Sequence, residues 1–373
     1  MTRVRLVLGA LALLLAPLAA ATAQSRGLPL TVNDVGVGIG PVPRVIGVRL
    51  NFRDDADFDV RGINITVWTP EGDLRGDVKG AAIGLPATGA SRISGLAAGI
   101  FGVGADRYID GIGVGGLGIG AGDRLRGIMI GGLGVGAGGR VTGITLGGLG
   151  VGAGGDLTGI TIGGLGAGSG GRVEGLAIGG LGVGAGQGAR GILVGGAGVG
   201  SGESVSGLAI GGIGVGSGER MTGIAIGGVG VGVGEKLTGL SIAGIGVGAG
   251  GGISGITIAG VGIGSGGTLR WLSIAGVGIG APRIESIAVA PVVGAESTKA
   301  FIVAPAYMRI EQGTMQGVSI SSFNHVKGTQ RGLTVGVFNY ARSLHGVQIG
   351  VLNYAKSNRA PFRLLPLVNV PAR

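Results

Sequence analysis

The chain has 373 residues, of which 93 are glycine, and aromatic residues make up only 3%. Its glycines do not follow the Gly-X-Y period of collagen, and the Val, Ile, Leu and Ala between them supply apolar surface that disordered chains lack. The absence of cysteine excludes a disulfide framework and a cysteine lipid anchor. The net charge of +10 is spread along the chain without runs of basic and aromatic residues, so nucleic-acid binding is not predicted.

Residues 1–23 have the pattern of a secretory signal peptide. Arg3 and Arg5 precede a short apolar stretch, and Ala21-Thr22-Ala23 is the small-x-small pattern of a cleavage site. An N-terminal membrane anchor is the alternative, although the apolar stretch is short and ends at that cleavage site. We therefore predict export to the periplasm, the outer membrane surface or the medium.

An internal repeat dominates the rest of the sequence. "GGLGVGAGGRVTGITL" at 131–146 is followed at once by "GGLGVGAGGDLTGITI" at 147–162. The phrase apolar, any residue, glycine, apolar, any residue, apolar recurs every 16 residues, with its glycine at 111, 127, 143 and onward to 255. Looser copies, including a closing unit near Pro361, bring the total to about 21 units, which indicates a single array with modified ends.

The spacing of the units divides this array into zones. Residues 24–44 form a lead-in or cap, 45–98 irregular N-terminal coils, and 99–290 the regular glycine-rich repeats. Residues 291–373 form C-terminal coils that end in a cap. Because the repeat phrase runs through all of these zones, we predict no separate N-terminal domain.

The repeat predicts short strands joined by corners. Leu133, Val135 and Ala137 alternate with glycine, which is the period of a strand, and so many glycines would cost a helix about 1 kcal/mol each. Ile144 and Leu146 flank Thr145 in a second strand, with a corner at Gly143. The prediction is an all-β parallel solenoid of about 21 coils, forming a rod about 100 Å long.

In this solenoid we expect Leu133 and Val135 to point inward. Gly134 and Gly136 would then line an outer face that is almost free of side chains. Sheets with glycine on one side can stack closely, so this face suggests self-association. The alternative is that glycine serves only to make the coil thin and tightly turned.

An outer-membrane β-barrel, with one strand and one turn per unit, is the alternative fold. The sequence has no aromatic girdles, ends in Arg373, and offers no polar row to line a lumen. These features favour the solenoid.

No catalytic, cofactor-binding or metal site is predicted, and we do not expect an enzyme. Carboxylates occur about once per coil, mostly beside Arg or Lys, whereas a carbohydrate-active solenoid enzyme would need paired carboxylates on adjacent coils. His325 and His345 fall at different phases of the repeat. Ice binding by the row that includes Thr145 and Thr161 is a weaker alternative, because Met129 and Leu193 interrupt this row.

The C-terminal coils carry a second pattern. Asn324, Asn339, Asn353 and Asn369 recur where the middle coils have glycine, which predicts a structural ladder of stacked asparagine side chains. Tyr340 and Tyr354 follow two of these asparagines and are predicted to stack on each other. His325 holds the equivalent place in the preceding coil.

The segments "GLTVGVFNYARSLHGVQIGVLNYAKSN" and "FRLLPLVN" resemble a group of uncharacterised bacterial secreted or surface-repeat proteins. Their tandem units read G-[LV]-x-[IV]-G-[LV]-x-N-Y-A and end in a similar closing segment, and the match covers residues 317–370. The resemblance implies export and a repeat architecture, and it implies no catalytic residues.

Together these patterns predict an exported, non-enzymatic structural or interaction element at the periplasm or cell surface. Its partners would be other copies of the chain or a surface of the cell envelope, and no cofactor is expected.

Overall fold

A computed structural model describes residues 27–54, 57–70 and 75–372. The signal peptide predicted for residues 1–23 lies outside these residues. The chain divides into two compact units, one up to Ala137 and one from Gly138 onward. The described residues form strands and turns without a helix, and stacked parallel coils at 16-residue spacing confirm the predicted β-solenoid, although it has about 19 turns where about 21 were predicted.

The first unit begins with an antiparallel hairpin and continues in parallel coils. In the hairpin, Asn33 and Asp34 both have positive φ, the geometry of a two-residue type I′ turn. Its strands are β1 (Leu28–Val32), β2 (Val35–Ile39), β3 (Arg44–Asn51), β4 (Asp59–Thr66), β5 (Asp77–Gly84), β6 (Ala87–Gly99), β7 (Gly102–Gly115), β8 (Gly118–Ala121), β9 (Arg124–Gly131) and β10 (Gly134–Ala137).

The second unit continues the same repeat and ends in irregular, longer strands. Its strands are β11 (Arg140–Gly147), β12 (Gly150–Ala153), β13 (Leu157–Gly163), β14 (Gly166–Ser169), β15 (Val173–Gly179), β16 (Gly182–Ala185), β17 (Gly188–Gly195), β18 (Gly198–Ser201), β19 (Ser204–Gly211), β20 (Gly214–Ser217), β21 (Arg220–Gly227), β22 (Gly230–Val233), β23 (Lys236–Ala243), β24 (Gly246–Ala249), β25 (Gly252–Ala259), β26 (Gly262–Ser265), β27 (Thr268–Ala275), β28 (Gly278–Val289), β29 (Val292–Ile310), β30 (Thr314–Gln330), β31 (Leu333–Leu344), β32 (Val347–Ala355) and β33 (Leu364–Asn369).

In the regular part of the second unit, each coil pairs in parallel with the next at the period of the sequence repeat. Gly143 of β11 faces Gly159 of β13, and Gly150 of β12 faces Gly166 of β14. Every position of the repeat therefore stacks on its own equivalent, which explains why the sequence repeats so closely. The closing unit expected near Pro361 is not a parallel coil, because β33 pairs antiparallel with β32.

Each regular coil has three sides, which the coil at 140–155 illustrates. On the first side, before the bend at Gly143, Arg140 and Thr142 point outward. On the second side, after the bend, Ile144 and Leu146 point outward. On the third side, formed by β12, Gly150 and Gly152 point outward. Stacked over successive coils, these pairs form what we call the charged face, the apolar face and the glycine face. The interior between them is narrow and contains Val141, Thr145, Val151 and Ala153.

This arrangement corrects one expectation and argues against one alternative. Val135 points inward as expected, with Gly134 and Gly136 outward, but Leu133 lies at a corner and is 49% exposed. The row considered for ice binding points into the coil, where Thr145 is only 1% exposed, so it presents no hydroxyls to water. This inward row accepts Thr, Ser and Ala and also the larger Leu193, which is 0% exposed.

The corner before the apolar face requires glycine. Gly159 has φ +113, and a Cβ there would lie 2.2 Å from the carbonyl oxygen of Gly143 in the preceding coil. Trp271 occupies the equivalent corner of β27 with φ +83, a strained conformation for a bulky residue, and its side chain is 72% exposed.

We expect Gly159→Ala to lower the free energy of unfolding by about 2 kcal/mol or more, because alanine adds strain at positive φ and a backbone clash. Gly168 is the matched control, since its φ is not restrictive and a Cβ there would meet nothing within 4 Å. Gly168→Ala should unfold at the same denaturant concentration as the wild type or at a slightly higher one. Equal midpoints for the two variants in chemical denaturation would contradict the assignment of the corner.

Candidate functional site

The charged residues of the regular coils are confined to one of the three faces. Residues 138–290 are all described, and their charged side chains all lie one, three or four positions before the corner residue of their coil. Seven of these are basic and six acidic, namely Arg140, Asp156, Arg172, Glu174, Arg190, Glu203, Glu219, Arg220, Glu235, Lys236, Arg270, Arg283 and Glu285. The apolar and glycine faces of this segment are therefore uncharged.

Neighbouring coils exchange ion pairs along the charged face. Arg220 approaches Glu235 at 3.8 Å, and Arg270 approaches Glu285 at 3.2 Å. These side chains are more than 40% exposed, so the pairs contribute little stability. Their mixed signs make this face a hydrated, nearly neutral surface.

The glycine face has no side chains although the fold leaves room for them. At its second outward row a Cβ would meet nothing within 4 Å, and φ is unrestrictive, at Gly152, Gly168, Gly184, Gly200, Gly232, Gly248, Gly264 and Gly280. The corner glycines differ, because their backbone geometry excludes a side chain. Among the described residues, neither a steric contact nor the backbone conformation requires glycine in this outward row.

The apolar face exposes branched aliphatic side chains in every regular coil. Ile144, Ile192 and Ile256 in its first row are 39%, 48% and 43% exposed. Corner residues such as Leu149 and Leu165, each 50% exposed, carry the apolar surface toward the glycine face. An apolar area that spans many coils reaches the size of the largest patches on typical monomers, which are often functional.

The predicted asparagines lie inside the C-terminal coils. Asn324 donates from Nδ2 to Asn339 Oδ1 at 2.8 Å, and Asn339 donates to Asn353 Oδ1 at 2.7 Å. Asn369 donates to the carbonyl oxygen of Asn353 at 3.1 Å, and all four are fully buried. They do not stand at glycine positions, because Asn324 is in register with the inward-pointing Met308.

Aromatic side chains cover the outer surface of the same coils. Tyr340 and Tyr354 stack with ring centroids 5.4 Å apart, and His325 meets Tyr340 edge-on at 5.1 Å. Phe323 and Phe338 form a second column at 5.1 Å. We call these five residues the aromatic platform, and it lies on the outward side of the strand segments that carry the asparagines.

His325 has a polar environment within this platform. Its Nδ1 lies 2.8 Å from the hydroxyl of Tyr307. Burial lowers the pKa of His325 below its ordinary value near 6.5, and the positive charges of Lys327 and Arg309 lower it further. The negative charge of Glu311 raises the pKa of His325. The hydrogen bond from Arg309 lowers the pKa of Glu311 itself.

Sequence reasoning missed a buried polar cluster in the first unit. Arg49 is 1% exposed, and its Nη1 contacts Asp54 Oδ1 at 2.5 Å and Asn64 Oδ1 at 2.9 Å. Asn51 and Thr66 also hydrogen-bond the Asp54 carboxylate, and Arg49 lies over the ring of Phe58 at 4.4 Å. The partners come from coils of irregular spacing, so no motif marks them, and their mutual bonds make the cluster a closed structural element.

An apolar groove of about 670 Å³ lies near the end of the second unit. Val303, Ile320, Val335 and Ile349 line one side of it, and Leu367 of β33 borders it. Within the described residues, no group of three or more His, Asp or Glu side chains could hold a metal ion. Nor does that part of the chain contain a helix long and apolar enough to cross a membrane.

Comparison of the chain with protein families, with characterised proteins and with solved structures gave no significant match. The candidate functional site is therefore defined by this chain's own geometry, and its two uncharged faces are the most extensive features.

We expect Asn339→Leu to destabilise the C-terminal coils by about 2 kcal/mol, because Asn353 Oδ1 and the carbonyl of Ile349 lose their buried donor. Tyr340→Leu changes the next, outward-pointing residue and should cost less than about 1 kcal/mol. Hydrogen exchange of β31 and β32 would locate the loss. An Asn339→Leu variant as protected as the wild type would contradict a structural role for the ladder.

A pH dependence follows from His325, whose pKa is lower in the folded than in the unfolded chain. The unfolded chain then binds more protons, so stability is full above about pH 6.5 and falls as the pH drops toward the lower folded-state pKa. Chemical denaturation of a His345→Gln background, in which His325 is the only histidine, should show this loss. The loss should be smaller after His325→Phe; an identical pH dependence in both variants would contradict the assignment.

Proposed function

We propose that the protein is an exported, non-enzymatic structural element that associates with copies of itself through its glycine face. The observation that carries this proposal is the outward glycine row, where a Cβ would meet nothing closer than ordinary van der Waals contact. A side chain there would favour strand formation over glycine, so the fold alone gives no advantage to a bare surface. A closely apposed partner gives glycine a role, since any side chain would hold the two surfaces apart.

The backbone of the glycine face suits such a contact. Its strands hydrogen-bond to the coils on either side, as Gly182 does in register with Gly166 and Gly198, so the peptide groups are satisfied within the sheet. Faces with ordinary side chains pack about 10 Å apart, whereas bare faces approach until their Cα–H groups contact the opposite carbonyls. Close approach over many coils adds dispersion energy without burying a charge.

The surface of this face is large enough for a specific contact between two copies. Nine coils from Gly150 to Gly278, each about 4.8 Å high and four residues wide, present roughly 560 Å² per copy. Two copies would bury about 1,100 Å², which exceeds the value of about 1,000 Å² expected of a specific interface.

Export and the resemblance to surface-repeat proteins are part of the same proposal. They depend on the signal-peptide pattern of residues 1–23 and on the units of residues 317–370. Cleavage after Ala23 would be tested by sequencing the N-terminus of the protein recovered from the periplasm or the medium.

The glycine-face contact is tested by Gly184→Thr, Gly200→Thr and Gly232→Thr combined in one chain. A Cβ meets nothing within 4 Å at each position and threonine favours strands, so the variant should fold at least as stably as the wild type but lose this mode of association. The control places threonine on the charged face instead, as Glu174→Thr, Ser206→Thr and Ser254→Thr. Sedimentation velocity over a wide concentration range measures both, and identical association of variant, control and wild type would refute the proposal.

A further inference from the structure

The apolar face has an exposed surface that the glycine-face contact does not cover. From β11 to β27 its two outward rows contain only Ile, Leu and Val, as the pairs Ile144 and Leu146, Ile192 and Val194, and Ile256 and Ile258 illustrate. It is equal in length to the glycine face, so pairing through it would likewise bury about 1,100 Å². In water, this exposed apolar area favours association by the hydrophobic effect.

The periodicity of the face identifies the partner that fits it best. Its side chains recur once per coil, at about 4.8 Å, with identical or similar residues in each row. A surface with the same period can interdigitate with it side chain by side chain over the full length, as facing sheets do in dry zippers. A second copy of this chain has that period.

The charge distribution disfavours a lipid surface as the partner. An anionic membrane is attracted by an excess of basic residues beside an apolar face. Here the seven basic and six acidic residues of segment 138–290 leave a net charge of only +1. The position just before the corner residue is Glu in some coils, as at Glu174 and Glu285, and Arg in others, as at Arg190 and Arg270. The border of the apolar face is electrostatically neutral.

Trp271 adds an independent indication that this border is in contact with a partner. It sits at the corner that the apolar face shares with the charged face, where the stacked equivalent in β25 is Gly255. Its φ of +83 is costly for a bulky residue, and 72% of the side chain is exposed, so the fold gains nothing that offsets the strain. An exposed, strained tryptophan beside an apolar surface is typical of a residue that packs against a partner.

We propose that the apolar face docks against the apolar face of a second copy. A chain that pairs through one face keeps the other free, so the two contacts together give open-ended lateral assembly instead of a closed dimer. This lateral growth rests on the glycine-face association proposed above, whereas the apolar contact itself does not.

The test combines Ile192→Thr, Ile224→Thr and Ile256→Thr in the mature full-length chain. Threonine keeps the β-branched shape that strands favour, and these side chains are already more than 40% exposed, so the fold should persist by circular dichroism. Sedimentation velocity is expected to show open-ended assembly of the wild type and no species larger than a dimer for the Ile→Thr variant. When the three Gly→Thr changes are added to that variant, only monomer is expected.

The two contacts can fail separately in this experiment. If the Ile→Thr variant assembles as the wild type does, the apolar contact is overturned, whatever the glycine variant does. If the Gly→Thr variant alone assembles as the wild type does, the glycine-face contact fails and the apolar contact must be judged by the Ile→Thr variant.

A second readout uses Trp271 as a probe. Trp68→Phe leaves it as the only tryptophan, and its emission should shift to shorter wavelength as concentration rises. The Ile→Thr changes should abolish that shift. An emission that does not change while the protein assembles would overturn the contact. Co-sedimentation of wild-type chain with phosphatidylglycerol vesicles, lost on Ile→Thr while assembly is unaffected, would also overturn it and assign the face to lipid.

Discussion

The parallel hydrogen bonds between successive coils are the constraint on which the rest of the structure depends. They place residue 150 on residue 166 and residue 143 on residue 159, so each position of the repeat becomes a row of stacked equivalents. Any residue suited to one coil is then suited to its neighbours, and any clash in one coil recurs in the next. This coupling turns the chemistry of one short unit into continuous faces and explains how a chain so rich in glycine remains ordered.

Glycine has two different roles in these rows. At corners such as Gly159 the backbone has positive φ and lies so close to the coil below that no side chain fits. In the outward row of the glycine face, as at Gly184, the backbone is extended and the space is open. The fold of a single chain requires glycine in the first role but not in the second. Composition alone does not separate the two, although their consequences for substitution are opposite.

The sequence predicted the period, the corners and the parallel stacking because all three depend on spacing. It predicted less well which side chains point inward, as Leu133 and Thr145 illustrate. Alternation shows which residues share one side of a strand. It does not show which side faces the interior, because the glycines on the other side are not polar. Residue size does not orient them either, because Leu157 and Leu193 are buried as Thr145 is, whereas Ile144 lies outside. The Arg49 cluster was missed because its partners come from irregular coils.

The ends of the array limit how the faces can be used. Among the described strands, β1 pairs only with β2 and β33 only with β32, both antiparallel. Each of these edge strands contains a proline, Pro29 and Pro366, which removes a backbone donor that a further strand would need. Addition of another chain end to end is thus opposed at both caps. The surfaces that remain for association are the sides of the coils, and of these the charged face is hydrated and mixed in sign. The uncharged faces are the surfaces through which we propose that copies associate.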